Sequence, residues 1–301
     1  MLGSARDPVL AMTTDDRRGA GPGEDASDAS RYVLGSSRAE LERLERQHAV
    51  WSDPMADWLD TLALEPGATV VDAGCGPGAA IADLVARVGP SGTVVGVDRS
   101  DEAIAALRAR VATHGWTNVR TIVGDLERAS LVGAGVEDGA ADAVVLRWVL
   151  SFPRRPERLL EACARWLAPG GRILVVDYDH DGVAVFPRSA GFEAVVRAVR
   201  ALYRSQGGDP WIAGRLPALF DATGFELDAF DPRVLAGAPG DAVWSWVGDF
   251  LALHAEELVA GGFLARDEHD AFTREWAERS ADPFARLVSP IVVGATATRR
   301  E

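Results

Sequence analysis

The chain has 301 residues, 48% of them apolar and 25% charged, enough for one large or two small soluble globular domains. Its formal charge is −14, from 31 basic and 45 acidic side chains, and no Lys/Arg stripe stands out, which argues against a nucleic-acid partner. No run approaches the roughly 20 apolar residues of a membrane span and no charged-then-apolar leader opens the chain; the two cysteines, Cys75 and Cys163, lack metal-ligand spacing, so the expectation is a cytoplasmic protein with buried thiols, no metal and no membrane partner.

Residues 1–30 are polar, rich in Gly, Asp and Ser, and predict a disordered tail in which Met12 is a second candidate start. From Arg31 the character changes. Ser37-Arg-Ala-Glu40 has the form of a capping box, and Leu41, Leu44 and the Val50–Trp51 pair follow at roughly helical spacing. A short helix over roughly 54–64 leads to the turn Glu65-Pro-Gly67. Residues 31–66 are thus expected as an N-terminal helical lid and 67–301 as the main domain.

Short apolar runs then alternate with amphipathic helices. Strands are expected at Thr69–Ala73, 93–97 (ending at Asp98), Val119–Val123 (ending at Gly124-Asp125), 141–146 and 172–176. Between them lie a helix over 79–88 with Ile81, Leu84, Val85 and Val88 on one face, a helix capped by Ser100 with Ile104, Leu107 and Val111, and a helix over 156–167. Continuous apolar strands between helices predict a doubly wound, Rossmann-like α/β domain whose parallel sheet is covered on both faces. The second half is less regular. Helices are expected at 188–206 and 212–223, a strand at 225–230, two or three helices over 240–281, and a β-branched strand at 287–297. These helical insertions, near 188–223 and 240–285, would form a lid over the strand ends.

In an open parallel sheet ligands bind beyond the carboxyl ends of the strands, so the first strand–helix turn, VVDAGCGPG at 70–78, is the place to look. Gly74, Gly76 and Gly78 let the backbone approach a ligand, but the loose G-x-G-x-x-A match alone also fits a dinucleotide. Asp72 discriminates: its carboxylate repels a pyrophosphate and attracts a ligand with an ammonium and a sulfonium, such as S-adenosylmethionine. Asp98, with Arg99 beside it, follows the second strand, where an acid accepts ribose hydroxyls. Asp125 ends the third strand, where its carboxylate and the amide of Leu126 suit adenine.

VVDAGCGPG, VVGVD, the GD pair at 124–125 and LAPGGRILVVDYD at 167–179 resemble, in order and spacing, the motifs of class I S-adenosylmethionine-dependent methyltransferases. The resemblance covers about residues 31–180 and returns at the C-terminal strand. It implies a seven-stranded sheet ending in an antiparallel hairpin of 225–230 and 287–297. It also implies the methionine end on the glycine turn, ribose on Asp98, adenine on Asp125, and Arg147 and Trp148 beside the cofactor. Tyr32, in a YVLG segment before the capped helix, resembles the lid tyrosine of bacterial small-molecule tailoring methyltransferases, where it lies over the cofactor.

Methyl transfer needs alignment and exclusion of water more than a catalytic motif. The strongest positional candidates stand at 177–181, DYDHD. His180 suits proton removal near neutrality, with Tyr32 as its companion on an indole acceptor, while Asp177 and Asp179 orient it or bind substrate. Nine tryptophans are many; Trp148, Trp211, Trp244 and Trp246, with Phe186, Tyr203 and Phe250, are candidates to wall a flat acceptor such as an indole, phenol or polyketide ring. The expected function is methylation of O, N or C on a small, aromatic secondary metabolite. The alternatives are a nicotinamide-dependent oxidoreductase and a non-catalytic S-adenosylmethionine-binding partner protein; a homodimer is a possible assembly.

Overall fold

The structure is a computed structural model that describes residues 38–301, with side chains from Arg43 onward; the expected tail 1–30, Tyr32 and the Ser37 cap lie outside the described residues. Among the described residues the chain runs α1 (Arg38–Val50), α2 (Ser52–Asp60), β1 (Thr69–Ala73), α3 (Ile81–Val88), β2 (Thr93–Asp98), α4 (Asp101–His114), β3 (Val119–Val123), β4 (Ala141–Arg147), α5 (Pro156–Trp166) and β5 (Leu167–Asp179). It continues through β6 (Ala184–Phe186), α6 (Ala190–Ser205), α7 (Ile212–Ala222), β7 (Phe225–Arg233), β8 (Ala236–Gly237), α8 (Ala242–Ala260), α9 (Arg266–Ala281), β9 (Arg286–Val288) and β10 (Ile291–Arg299).

Seven strands form one sheet in the order β3-β2-β1-β4-β5-β10-β7, parallel except that β10 runs antiparallel to both neighbours. Its apolar residues alternate between two cores. Val70, Val94, Val145 and Val176 pack with Met55, Trp58, Leu84 and Leu107 of α2, α3 and α4. Val71, Val95, Val144 and Val175 pack with Leu160, Trp166, Leu216 and Phe220 of α5 and α7. A strand's period of two puts neighbours on opposite faces, so a sheet buried on both sides needs unbroken apolar runs. Both thiols are buried in these cores.

The N-terminal segment divides in two. Trp51 breaks the helix and is 1% exposed, stacked on Trp58 (6.1 Å between ring centroids) and edge-on to Trp246 (5.6 Å). Beyond it α2 lies on the sheet itself: Trp58 occupies the space where a Cβ on Gly294 of β10 would stand, 2.3 Å from Trp58 Cδ1. On α1, Arg46 pairs with Asp249 of α8 at 3.2 Å, while Asp57 of α2 pairs with Arg233 at the end of β7 at 2.6 Å.

The expected strand 287–297 is interrupted. Ser289 is fully buried with its N–H on the Leu235 carbonyl, and Pro290 brings no N–H to a ladder. Residues before this break form β9, which joins β6 and β8 in a separate three-stranded sheet. Residues after it form β10. Two of the tryptophans expected near the acceptor are core: Trp244 stacks on Trp276 at 4.6 Å, and Trp246 packs on Trp51. Phe186 sits on the small sheet, 44% exposed. Among the described residues no helix is long and apolar enough to cross a membrane.

Candidate active site

The strand order reverses between β1 and β4, so the crevice opens at their carboxyl ends. Ala73 pairs with Leu146, which places Arg147 across from Gly74. Alternation decides which side chains meet there. Asp72, Arg147 and Tyr178 continue the face of Val70, Val145 and Val176; Asp177 continues the opposite face, that of Val175.

The three glycines of the turn have different reasons to be glycine. Gly74 and Gly78 have φ of +76° and +81°, and a Cβ on them would stand 2.4 Å from Val149 Cγ2 and Leu107 Cδ1. Their neighbours are protein. Gly76 has open space where a Cβ would stand, and its N–H donates to Asp98 Oδ2 at 2.9 Å. Asp98 Oδ1 accepts from the Ser100 N–H at 2.9 Å, so this carboxylate ties the glycine turn to the start of α4. Arg99 is exposed beside it. Asp125 is exposed at the end of β3, its Oδ1 accepting from the Glu127 N–H at 2.9 Å, while Leu126 packs on the core under α5.

Asp72 is 3% exposed. Burial pushes its carboxyl up to about 6, opposed by Arg147 and reinforced by Asp98. Burial lowers Arg147 below its ordinary value, against the charges of Asp72 and Asp83. An anionic and a cationic side chain on one face, beside a glycine turn, match the ammonium and carboxylate of an amino-acid end. The residues therefore fit the donor implied by the motifs. Because Asp72 is neutral below about pH 6, its attraction for an ammonium is lost on acidification. S-Adenosylmethionine affinity is expected to fall about tenfold between pH 7 and pH 5 by linkage, with Asp72→Asn flat across that range in calorimetry.

A run of rings leads away from Arg147. The Arg147 guanidinium lies 4.9 Å from the Trp148 ring. Trp148 takes a left-handed φ of +55° and stacks on Tyr178 at 5.8 Å. Tyr178 meets His180 edge-on at 5.4 Å, His180 meets Tyr203 at 5.4 Å, and Tyr203 stacks on Phe152 at 5.3 Å. Above them, Gln47 Nε2 of α1 donates to the Tyr178 hydroxyl at 2.5 Å.

His180 differs from the expectation of a base poised near neutrality. Burial, aided by Arg200 and opposed by Asp181, lowers it to about 4, so the ring is neutral at pH 7. The carboxylates expected to orient it are engaged elsewhere. Asp177 is fully buried and accepts from the N–H groups of Leu150 (2.8 Å), Ser151 (3.1 Å) and Tyr178 (2.9 Å), on the far face from Tyr178. Asp179 takes the Asp181 N–H at 2.9 Å, and Asp181 takes the Trp211 indole N–H at 3.0 Å. Trp211 thus braces the strand-five loop, with Arg200 over its ring at 5.7 Å.

Gln47, His48 and Phe152 were not among the residues the sequence pointed to, and Tyr178 was marked only as part of the 177–181 run. The available signal was RQH at 46–48, two uncharged polar side chains inside an otherwise apolar-and-charged helix. Gln47 is buried, with Arg43 donating to it one turn away at 2.8 Å.

A family model described as a methyltransferase domain matches residues 70–171. The chain is 30% identical over 243 residues to an uncharacterised 37.1 kDa protein in transposon TN4556 of Streptomyces fradiae, covering 80% of this chain and 66% of that one, just under two thirds. It is 30% identical over 203 residues to the trans-aconitate 2-methyltransferase of Deinococcus radiodurans, covering 64% of this chain and 74% of the relative. Geranyl diphosphate C-methyltransferase from Streptomyces coelicolor A3(2), solved with S-adenosyl-L-homocysteine, shares the fold with a TM-score of 0.52 at 16% identity, over 82% of this chain and 76% of that one. Fold and site together define a Rossmann-like methyltransferase domain that uses S-adenosylmethionine. The chain belongs to the class I S-adenosylmethionine-dependent methyltransferases.

Proposed function

We propose that this chain transfers a methyl group from S-adenosylmethionine to a small acceptor carrying a flat, largely apolar ring, of the kind modified in tailoring of secondary metabolites. The observation that carries this reading is the run Trp148–Tyr178–His180–Tyr203–Phe152, which begins beside the Arg147 guanidinium. Asp72 and Arg147 hold the amino-acid end of the donor, Gly76 lets the backbone approach it, Asp98 accepts the ribose hydroxyls, and Asp125 with the Leu126 amide takes adenine. When bound, the donor supplies a methyl group on a positively charged sulfur, a carbon already activated for displacement. The chain's own work is to align the acceptor and exclude water.

His180, neutral and walled by Tyr178 and Tyr203, is placed to accept a hydrogen bond from an acceptor O–H or N–H. Asp177 holds the turn beneath the rings without touching the acceptor. Incubation with deuteromethyl S-adenosylmethionine and a panel of phenols, indoles and aromatic amines alongside ring-free aliphatic acids and amines, read by mass spectrometry, is expected to label a ring-bearing acceptor. His180→Ala is expected to lower that turnover at least roughly tenfold, as for loss of an acid–base or positioning group, and to leave S-adenosylhomocysteine affinity unchanged. Labelling confined to acceptors without rings would reject the aromatic assignment, and unaltered turnover would make His180 a bystander.

A further inference from the structure

One polar side chain of α1 has no part in the donor and acceptor roles above. His48 Nδ1 stands 2.7 Å from Nη1 of Arg147, and its Nε2 stands 3.6 Å from Asp83 Oδ2 in the first turn of α3. A guanidinium has no acceptor, so Nδ1 must receive this hydrogen bond, which leaves the ring proton on Nε2, facing Asp83. Burial lowers His48 to about 4, with Arg147 and Arg110 acting in the same direction and Asp83 against them. The ring is therefore a neutral bridge between the strand-four end and the helix that follows the glycine turn.

This bridge solves a problem posed by Asp72 and Arg147. Opposite charges on one face of the sheet tend to pair with each other, and a direct pair would occupy both groups needed for an amino-acid zwitterion. Arginine's long side chain can reach either way. Holding one guanidinium N–H from the α1 side fixes its direction and leaves its other donors for a ligand.

We infer that His48 is a positioning residue, aiming Arg147 at the carboxylate of the donor's methionine end and so coupling the seating of α1 to donor binding. The inference rests on the donor reading given above. It does not make His48 necessary for the fold, because α1 has other anchors: Glu45 to Arg110 at 2.5 Å, Arg46 to Asp249 at 3.2 Å, and Gln47 to Tyr178 at 2.5 Å.

The test compares two ligands by calorimetry: S-adenosylhomocysteine, which has the amino-acid end, and methylthioadenosine, which lacks it. His48→Leu is expected to weaken S-adenosylhomocysteine roughly tenfold, the scale of one hydrogen bond to a charged group, and to leave methylthioadenosine within twofold. His48→Asn puts an amide oxygen near the Nδ1 position and is expected to restore most of the loss. Equal weakening of both ligands would overturn the inference by showing a merely structural role. So would unchanged S-adenosylhomocysteine binding in His48→Leu, or failure of His48→Asn to do better. A wild-type chain that binds neither ligand would overturn the donor reading itself and this inference with it.

Discussion

Asp98→Ala is expected to weaken S-adenosylhomocysteine binding by roughly a hundredfold or more. The ribose diol would meet a carboxylate whose two oxygens each take one backbone N–H, from Gly76 and from Ser100, at 2.9 Å, and each has lone-pair capacity left. Two charge-assisted hydrogen bonds of about 1.5–3 kcal/mol each account for that scale. The variant also releases the Gly76 amide from its anchor, so the turn beneath the methionine end loosens as well. Asp98→Asn keeps one acceptor oxygen but turns an NH2 toward a backbone N–H, and its affinity should fall in between. Calorimetry on the three proteins reads this directly. An Asp98→Ala protein that binds within about threefold of wild type would remove Asp98 from the ribose role, since even one lost bond to a charged group exceeds that ratio.

Asp177→Ala should act on stability before it acts on chemistry. Its carboxylate is the acceptor for three backbone N–H groups, those of Leu150, Ser151 and Tyr178, in a site with no exposure. Buried donors left without partners cost about 1–3 kcal/mol each, so a loss of several kcal/mol is expected, reduced where water enters the cavity. For a domain of this size that corresponds to a fall in Tm of roughly 10 °C. The turn so released carries Trp148 in its left-handed conformation, and with it the first ring of the proposed acceptor wall. Burial pushes Asp177 up to about 6, opposed by hydrogen bonds from Tyr178, Ser151 and Leu150. Asp177→Asn retains an acceptor for the Leu150–Ser151 pair and should lose clearly less. Melting curves that place Asp177→Ala within 2 °C of wild type would show that the turn stands without this clamp.

The layout of the strand ends where the donor is proposed to bind was legible because its parts are local. The alternation of apolar runs and helices, the glycines after β1 and the acids at Asp98 and Asp125 each follow from neighbours within one strand–turn–helix unit. Backbone hydrogen bonding acts over that same range. Even the buried acid at Asp72 could be read, since its strand was continuous and its charge had to face something.

The arrangement of the proposed acceptor wall was not legible in the same way. In DYDHD every residue is polar enough to reach a substrate, and only the pairing register of β5 with β4 and β10 turns Asp177 to one face and Tyr178 to the other. A one-residue shift would exchange them. Likewise Trp244 and Trp246 share a helix with Phe250, and packing of α8 on α1, Trp51 and α9 decided that the tryptophans fill the core.

What the amino-acid order determined by itself was the class of fold and the chemistry offered at the ends of the first three strands, because hydrophobic period and turn residues act over a few neighbours. What only the tertiary structure decided was which distant side chains share a wall: His48 with Arg147, Gln47 with Tyr178, His180 with Tyr203. These pairs are separated in the chain by tens of residues or more, and their meeting depends on how whole layers pack, a long-range outcome that no local pattern encodes.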